Sequence, residues 1–341
     1  MNLPVSAGSP LLKGTMKKSL CLTLMACCFL IASCNRLPVG PTNIDSTPTF
    51  QQKTETVNQP TIADETEKQS TDSPAAFDSS KLGTAEKDVT YCVMDGVALK
   101  MDIYYPADNK GLFPVTMYVH GGGWRSGNKA VGTGQADIPG LRNAGFLVVS
   151  VNYRLAPEYK FPAMIEDVKC AVRYLRAHAG QYNLDPERIG VWGTSAGGHL
   201  VAMLGAADES AGFDVGEYLE YSSRVQAVVV MFGPADLTVG TGNGRRARNI
   251  FGDFDLALAS PVTYVSADDP PFLILHGEED TTVPISQADI LLAALTEAGV
   301  PAELVPVVNA GHSFQPAGGP ISPSREEISQ MVVDFFEKQL K

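Results

Sequence analysis

At 341 residues the chain is long enough for one large domain, or two small ones, around a substantial buried core. Its 38 acidic side chains outnumber 26 basic ones, and the formal charge of -12 argues against nucleic acid, whose binding needs basic patches. That charge selects no particular small substrate.

The N-terminal stretch reads as a targeting signal and not as part of the fold. Met16-Lys17-Lys18 precedes an apolar run, Leu20 to Ile31, which ends in Ala32-Ser33-Cys34. A basic n-region, an apolar h-region of about a dozen residues and small closing residues make a secretory signal, too short for a membrane span. Residues 1–15 have no n-region character, so the reading favours Met16 as the true start. Ile31-Ala32-Ser33-Cys34 resembles the bacterial lipobox, in which the cysteine becomes the lipidated first residue; an ordinary cleavage near Ser33 is the plainer alternative. The expectation is an exported lipoprotein of the bacterial cell envelope, periplasm-facing or on the outer surface, held to the membrane by lipid on Cys34. Removing residues 1–34 deletes three lysines and no acid, which excludes a polybasic anchor.

Residues 35–85 are expected to be a disordered tether. From Asn35 to Lys81 the chain is rich in Thr, Gln, Ser, Pro, Asp and Glu, and buries too little apolar surface to offset its ordering entropy. Residues 86–341 form the remaining domain. Cys92, on an early strand, and Cys170, on a mid-chain helix, are its two cysteines and are expected to be free, buried thiols.

Within that domain Asp88 to Met94 and Ala98 to Tyr105 flank Asp95-Gly96, a hairpin signal. Then come continuous apolar runs: Val115 to Val119, Leu147 to Val151, Ile189 to Trp192, Val225 to Phe232, Phe272 to Leu275 and Leu304 to Val308. Short strands that are apolar throughout are buried on both faces, as in a parallel sheet. Helical patterns alternate with them at Ala163 to Ala179, Gly198 to Ala207, Ser286 to Ala298 and Arg325 to Gln339. The fold class is therefore α/β, a mostly parallel central sheet with helices on both faces, and its active site belongs in the crevice at the C-terminal ends of the strands.

Gly193-Thr194-Ser195-Ala196-Gly197 lies between the run Ile189 to Trp192 and a helical pattern. A serine between two glycines on a strand-to-helix turn is a nucleophile elbow, with a helix N-terminus behind it to favour negative charge. His120-Gly121-Gly122-Gly123-Trp124 follows the strand Val115 to Val119, and such a glycine run frees backbone N–H groups to converge on an oxyanion. Gly122 and Gly123 are the candidate donors, completed by the N–H of Ala196; His120 is expected to fix the loop by hydrogen bonding. Of the five histidines, His178 is expected on a solvated helix face, His199 within the helix after the elbow pointing away from the mouth, and His276 in a structural role. His312, in the loop after the last strand, is left as the base. Asp280 is the favoured orienting acid of the loop His276 to Pro284, whose Glu278 and Glu279 stay solvated; Asp236 is the runner-up. No metal and no cofactor is expected, since no His/Cys cluster has ligand spacing.

The order Ser195, Asp280, His312 matches the α/β-hydrolase arrangement. With it stand Val148 to Glu158 (V-V-S-V-N-Y-R-L-A-P-E), Phe161 to Ala163, Asp185 to Gly190 and H-G-E-E-D-T-T-V-P from His276. Together these motifs resemble secreted bacterial α/β-hydrolases, nearest the feruloyl/acetyl-xylan esterase-like branch and the hormone-sensitive-lipase-like carboxylesterases, over about Asp88 to Lys341. The resemblance implies that Trp124 lines the acyl or alcohol pocket and that Tyr153-Arg154 supports the oxyanion loop. It also implies a serine carboxylic-ester hydrolase acting through an acyl-enzyme. Two departures stand out: no N-terminal helical cap is legible, and the insertion Ala235 to Ser260 is large enough only for a small lid. An open cleft of that kind suits acylated carbohydrate or small acyl esters better than long lipid chains. The alternatives are a prolyl-oligopeptidase-like peptidase, which lacks room here for its usual extra domain, and a non-catalytic hydrolase-fold binding module, which would lack a triad member.

Overall fold

Asp95 and Gly96 take consecutive positive φ values, 50° and 78°, the turn whose twist matches a tight hairpin. In the computed structural model, which describes residues 77–108, 110–239 and 245–341 (245–247 in backbone only), this turn joins β1 (Ala85–Met94) to β2 (Val97–Tyr104). The signal, Cys34 and residues 35–76 of the expected tether lie outside the described residues.

The remaining strands are β3 (Phe113–Val119), β4 (Leu147–Val151), β5 (Leu184–Thr194), β6 (Ala227–Met231), β7 (Phe272–Gly277) and β8 (Ala302–Val307). They form one eight-stranded sheet in the order β1-β2-β4-β3-β5-β6-β7-β8, antiparallel at β1-β2 and β2-β4 and parallel elsewhere. The helices are α1 (Ile138–Asn143), α2 (Ala163–Ala177), α3 (Ala179–Tyr182), α4 (Ala196–Ala206), α5 (Arg245–Phe251), α6 (Ser286–Ala298) and α7 (Arg325–Leu340). Successive residues of one strand enter opposite cores. Val228 and Val230 pack with α2, α4 and α6, while Val229 and Met231 pack with α1 and α7. Two buried faces are why the central strands are apolar at every position.

Five expectations need correction. Residues 77–85 of the expected tether are ordered: Phe77 packs on Tyr105 and Phe113, Ser79–Lys81 form a 3-10 turn, and Ala85 opens β1. The run at Leu304 to Val308 is not buried on both faces: β8 is a half-exposed edge strand, where Pro306 is tolerated. The polar face of α2 is not solvated. Asp167 is buried against Arg154, and the segment before β6 folds over Lys169, Arg173 and Arg176: Lys169 Nζ donates to Asp214 Oδ2 (2.8 Å) and Ser223 Oγ (3.0 Å), and Arg176 Nη1 to Ser222 O (2.6 Å). His178 accordingly is half-buried, its ring stacked on Tyr174 at 4.1 Å. Finally, Cys92 and Cys170 are not free. They form a disulfide, because α2 packs across β1 and brings their Cα atoms to 6.5 Å.

Candidate active site

Parallel strands that enter the sheet in one direction leave it in one direction, so the segments after β3, β4, β5, β6, β7 and β8 gather at one end. Ser195 stands between β5 and α4 with φ 54° and ψ -118°, a strained conformation for a residue with a side chain. Its N–H donates to Met231 O at 2.9 Å, and its carbonyl accepts from His199 N at 3.0 Å. The turn closes only because its neighbours are bare: a Cβ on Gly197 would overlap the Val119 carbonyl oxygen, and one on Gly193 would overlap that of Gly197. The helix begins at Ala196 itself, two residues earlier than its apolar pattern suggests.

Ser195 Oγ lies 3.0 Å from His312 Nε2, and His312 Nδ1 lies 2.7 Å from Asp280 Oδ2. The three residues thus come from β5, β7 and β8 across more than a hundred positions of chain, and the structure brings them into one hydrogen-bonded line. His312 starts a 3-10 turn, His312–Phe314, and its ring stands edge-on to Phe232 at 4.9 Å. Asp280 is buried, and burial alone would raise its pKa. Hydrogen bonds from His276, His312 and the Val283 N–H outweigh that effect and hold the carboxyl far below the usual carboxylate range. Its Oδ1 accepts from Thr282 N (2.8 Å) and Val283 N (2.9 Å), so the acid is charged and fixed. Glu278 and Glu279 are exposed. Asp236 is kept apart: its Oδ1 accepts from the Thr238 N–H and hydroxyl, ordering its own loop.

The glycine loop after β3 is pinned from below. Tyr153 Oη donates to His120 O at 2.9 Å, the His120 ring stacks on Tyr153 at 4.3 Å, and Ala156 N donates to Trp124 O at 2.9 Å. Gly122 holds φ 115°, and a Cβ there would overlap Ser126 O. Arg154 bonds Asp167 through Nε at 2.9 Å, Glu166 through Nη2 at 3.1 Å and Asp95 through Nη1, fixing the segment that carries Tyr153. Gly123 and Ala196 line one cavity with Ser195, about 190 Å³, whose apolar wall is made by Trp124, Leu237, Ile250, Phe251, Leu256 and Val283. His199 lies beneath this wall, fully buried, its Nε2–H donating to Ala259 O at 2.7 Å and its ring edge-on to Trp124.

Two contributors, Phe232 and Gln287, escaped the sequence, and His276, expected in a structural role, also lies beside the acid. His276 is buried beside the acid, donating from Nε2 to Val283 O at 2.8 Å with Asp280 Oδ2 at 3.5 Å; its place four residues before Asp280 was the available signal. Phe232 backs the imidazole. Gln287, at the start of α6, clasps the insertion: its Oε1 accepts from Ala235 N and Asp236 N, both at 2.8 Å, and its Nε2 donates to Asp236 O (3.1 Å) and Val239 O (3.0 Å). No sequence signal marks Gln287, because its partners lie about fifty residues away.

Comparison with known proteins agrees with this geometry. The family described as BD-FAE matches residues 101–295, more than half of the chain. A probable carboxylic ester hydrolase of Mycobacterium tuberculosis, LipM, is 36% identical over 198 residues, 53% of this chain and 44% of LipM. Esterase LipQ of the same organism is 32% identical, over 65% of this chain and 55% of LipQ, so the chain spans about half the length of these curated relatives. Among solved structures, a truncated carbohydrate esterase from gut microbiota superposes with a TM-score of 0.65 at 31% identity, covering 77% of this chain and 99% of that one.

Proposed function

The chain belongs to the BD-FAE family of α/β hydrolases, and we propose that it is a serine carboxylic-ester hydrolase working through an acyl-enzyme. The observation that carries this reading is the line Ser195 Oγ–His312–Asp280, with contacts of 3.0 and 2.7 Å. As Oγ attacks the ester carbonyl, His312 Nε2 takes its proton, while charged Asp280 holds the Nδ1–H and stabilises the imidazolium. The oxyanion is met by the N–H groups of Gly122, Gly123 and Ala196; losing one such donor typically costs on the order of 10²–10³ in rate. Collapse expels the alcohol, which receives the proton from His312. Water, deprotonated by the same imidazole, then attacks the acyl carbon and frees Ser195.

Acylated carbohydrate or small acyl esters are the proposed substrates. The compact apolar cavity beside Ser195 supports a small acyl group, and similarity to a carbohydrate esterase supports a sugar on the alcohol side. The proposed address is the cell envelope, through lipid on Cys34; the buried disulfide supports an oxidising compartment. Turnover of p-nitrophenyl acetate tests the chemistry: no hydrolysis, or equal hydrolysis after Ser195→Ala, would sink it. Release from acetylated xylan, methyl ferulate and p-nitrophenyl esters of increasing length ranks the substrates. Cys34→Ala should release the protein from membranes, and retention there refutes the anchor.

A further inference from the structure

A second recess opens at the same end of the sheet, on the β2 side of the glycine loop, with a volume of about 270 Å³. The start of β2 and the segments after β3 and β4 enclose it, contributing Lys100, His120, Asn128, Asn152, Glu158 and Tyr159. The loop His120 to Trp124 borders both spaces. His120 lines this recess, whereas Gly123 and Trp124 line the cavity beside Ser195. A ligand that reached across this short loop would occupy both.

The chemistry of the recess follows from His120. The residue is 1% exposed, and its Nδ1 lies 2.7 Å from Gly121 O, an acceptor, so Nδ1 carries the proton. Burial pushes its pKa down to about 4, which keeps the ring neutral and makes Nε2 a lone-pair acceptor. Among the described residues no hydrogen bond reaches Nε2. That lone pair faces the recess His120 lines and is available to an O–H or N–H donor of a ligand.

The neighbours narrow the donor further. Asn152 uses its Oδ1 to accept from Lys129 N at 2.6 Å, and no hydrogen bond engages its amide N–H groups among the described residues. Glu158 is exposed at the rim. Tyr159 is held over Arg154, whose guanidinium carbon lies 5.6 Å from the ring centroid and is itself anchored by Asp167 and Glu166. Arg154 is committed to these carboxylates, and Lys100 Nζ donates to the neutral Thr90 hydroxyl at 2.5 Å, with further N–H groups for a ligand oxygen. The polar lining does not suit a hydrocarbon chain. A ring of hydroxyl groups with an apolar face matches every element: hydroxyls for Nε2, the asparagine amide and the carboxylate, C–H bonds for the tyrosine.

We propose that this recess is a sugar subsite, taking a pyranose unit on the alcohol side of the ester while the acyl group sits beside Ser195. The proposal rests on the acylated-carbohydrate reading above. It is tested on the full chain with Tyr159→Ala and Tyr159→Trp, assayed on p-nitrophenyl acetate and on an acetylated xylo-oligosaccharide. For Tyr159→Ala the KM on the oligosaccharide should rise roughly tenfold with kcat kept, about the worth of one ring contact. The kcat/KM on p-nitrophenyl acetate should stay within about twofold, since that ester has no sugar to lose. Tyr159→Trp should restore the oligosaccharide KM. An unchanged KM, or an equal fall on both substrates, overturns the subsite. Wild-type turnover of p-nitrophenyl acetate with none of the oligosaccharide also overturns it and leaves the esterase chemistry standing. Absence of any Ser195-dependent turnover fails the esterase reading instead.

Discussion

Breaking the Cys92–Cys170 bond should strip the domain of stability while sparing its chemistry. The two cysteines are 78 positions apart, and both are buried between β1 and α2. A cross-link closing a loop of that length removes unfolded-chain entropy equivalent to about 4.5 kcal/mol at 25 °C, with measured effects typically 2–4 kcal/mol. For a domain of this size that corresponds to roughly 10 °C in Tm. The proposed catalytic residues follow β5, β7 and β8, remote from this edge of the sheet. Folded Cys92→Ala/Cys170→Ala protein should therefore hydrolyse p-nitrophenyl acetate at close to the wild-type rate at 25 °C. Urea unfolding followed by tryptophan fluorescence, compared between the double variant and the oxidised wild type, measures the difference. Coincident transitions, or two more reactive thiols in the denatured, unreduced wild type than in the double variant, would refute the reasoning.

Asp280→Asn should keep the fold and lower kcat by roughly 10⁴, because the amide no longer holds the imidazole in the productive tautomer; a circular-dichroism match with near-normal turnover would contradict it. Gln287→Leu should leave the N–H groups of Ala235, buried, and Asp236, half-buried, without their acceptor and loosen one wall of the acyl cavity. The ratio of kcat/KM for p-nitrophenyl hexanoate over acetate should shift by roughly tenfold, and an unchanged ratio would show that the clasp does not set selectivity. His199 is buried with a pKa pushed down to about 4, below its unfolded value, so the unfolded chain binds the extra proton. Its stability contribution is complete above about pH 6.5 and is lost towards pH 4, an effect of about 3 kcal/mol. His199→Gln should flatten the fall in urea midpoint between pH 7 and pH 4.5, and parallel profiles would argue against a buried neutral ring.

Much of the site was legible because its parts are local. Gly193 to Gly197 must be a tight turn wherever it occurs, since the contacts that exclude a Cβ there arise within the strand-turn-helix unit and the adjoining strand. The alternation of two-sided apolar strands with helical patterns fixed the α/β class, because burial on both faces leaves its mark on every residue of a strand. His312 and Asp280 could be chosen by their position after the final strands, as chain order implies place once the sheet is parallel.

What the amino-acid order determined by itself, then, was whatever depends on backbone geometry and burial within a short stretch: the elements, the elbow, the glycine loop, the sheet class. The tertiary structure alone decided what depends on distant segments meeting. Cys92 and Cys170 pair only because α2 lies across β1, and the charged face of α2 is buried only because the chain before β6 folds back over it. The same holds at the site, where Gln287 reaches the insertion and Phe232 backs His312. Hydrogen bonds and packing act over a few ångströms, whatever the separation along the chain, and a one-dimensional pattern carries no record of which remote residues will come that close.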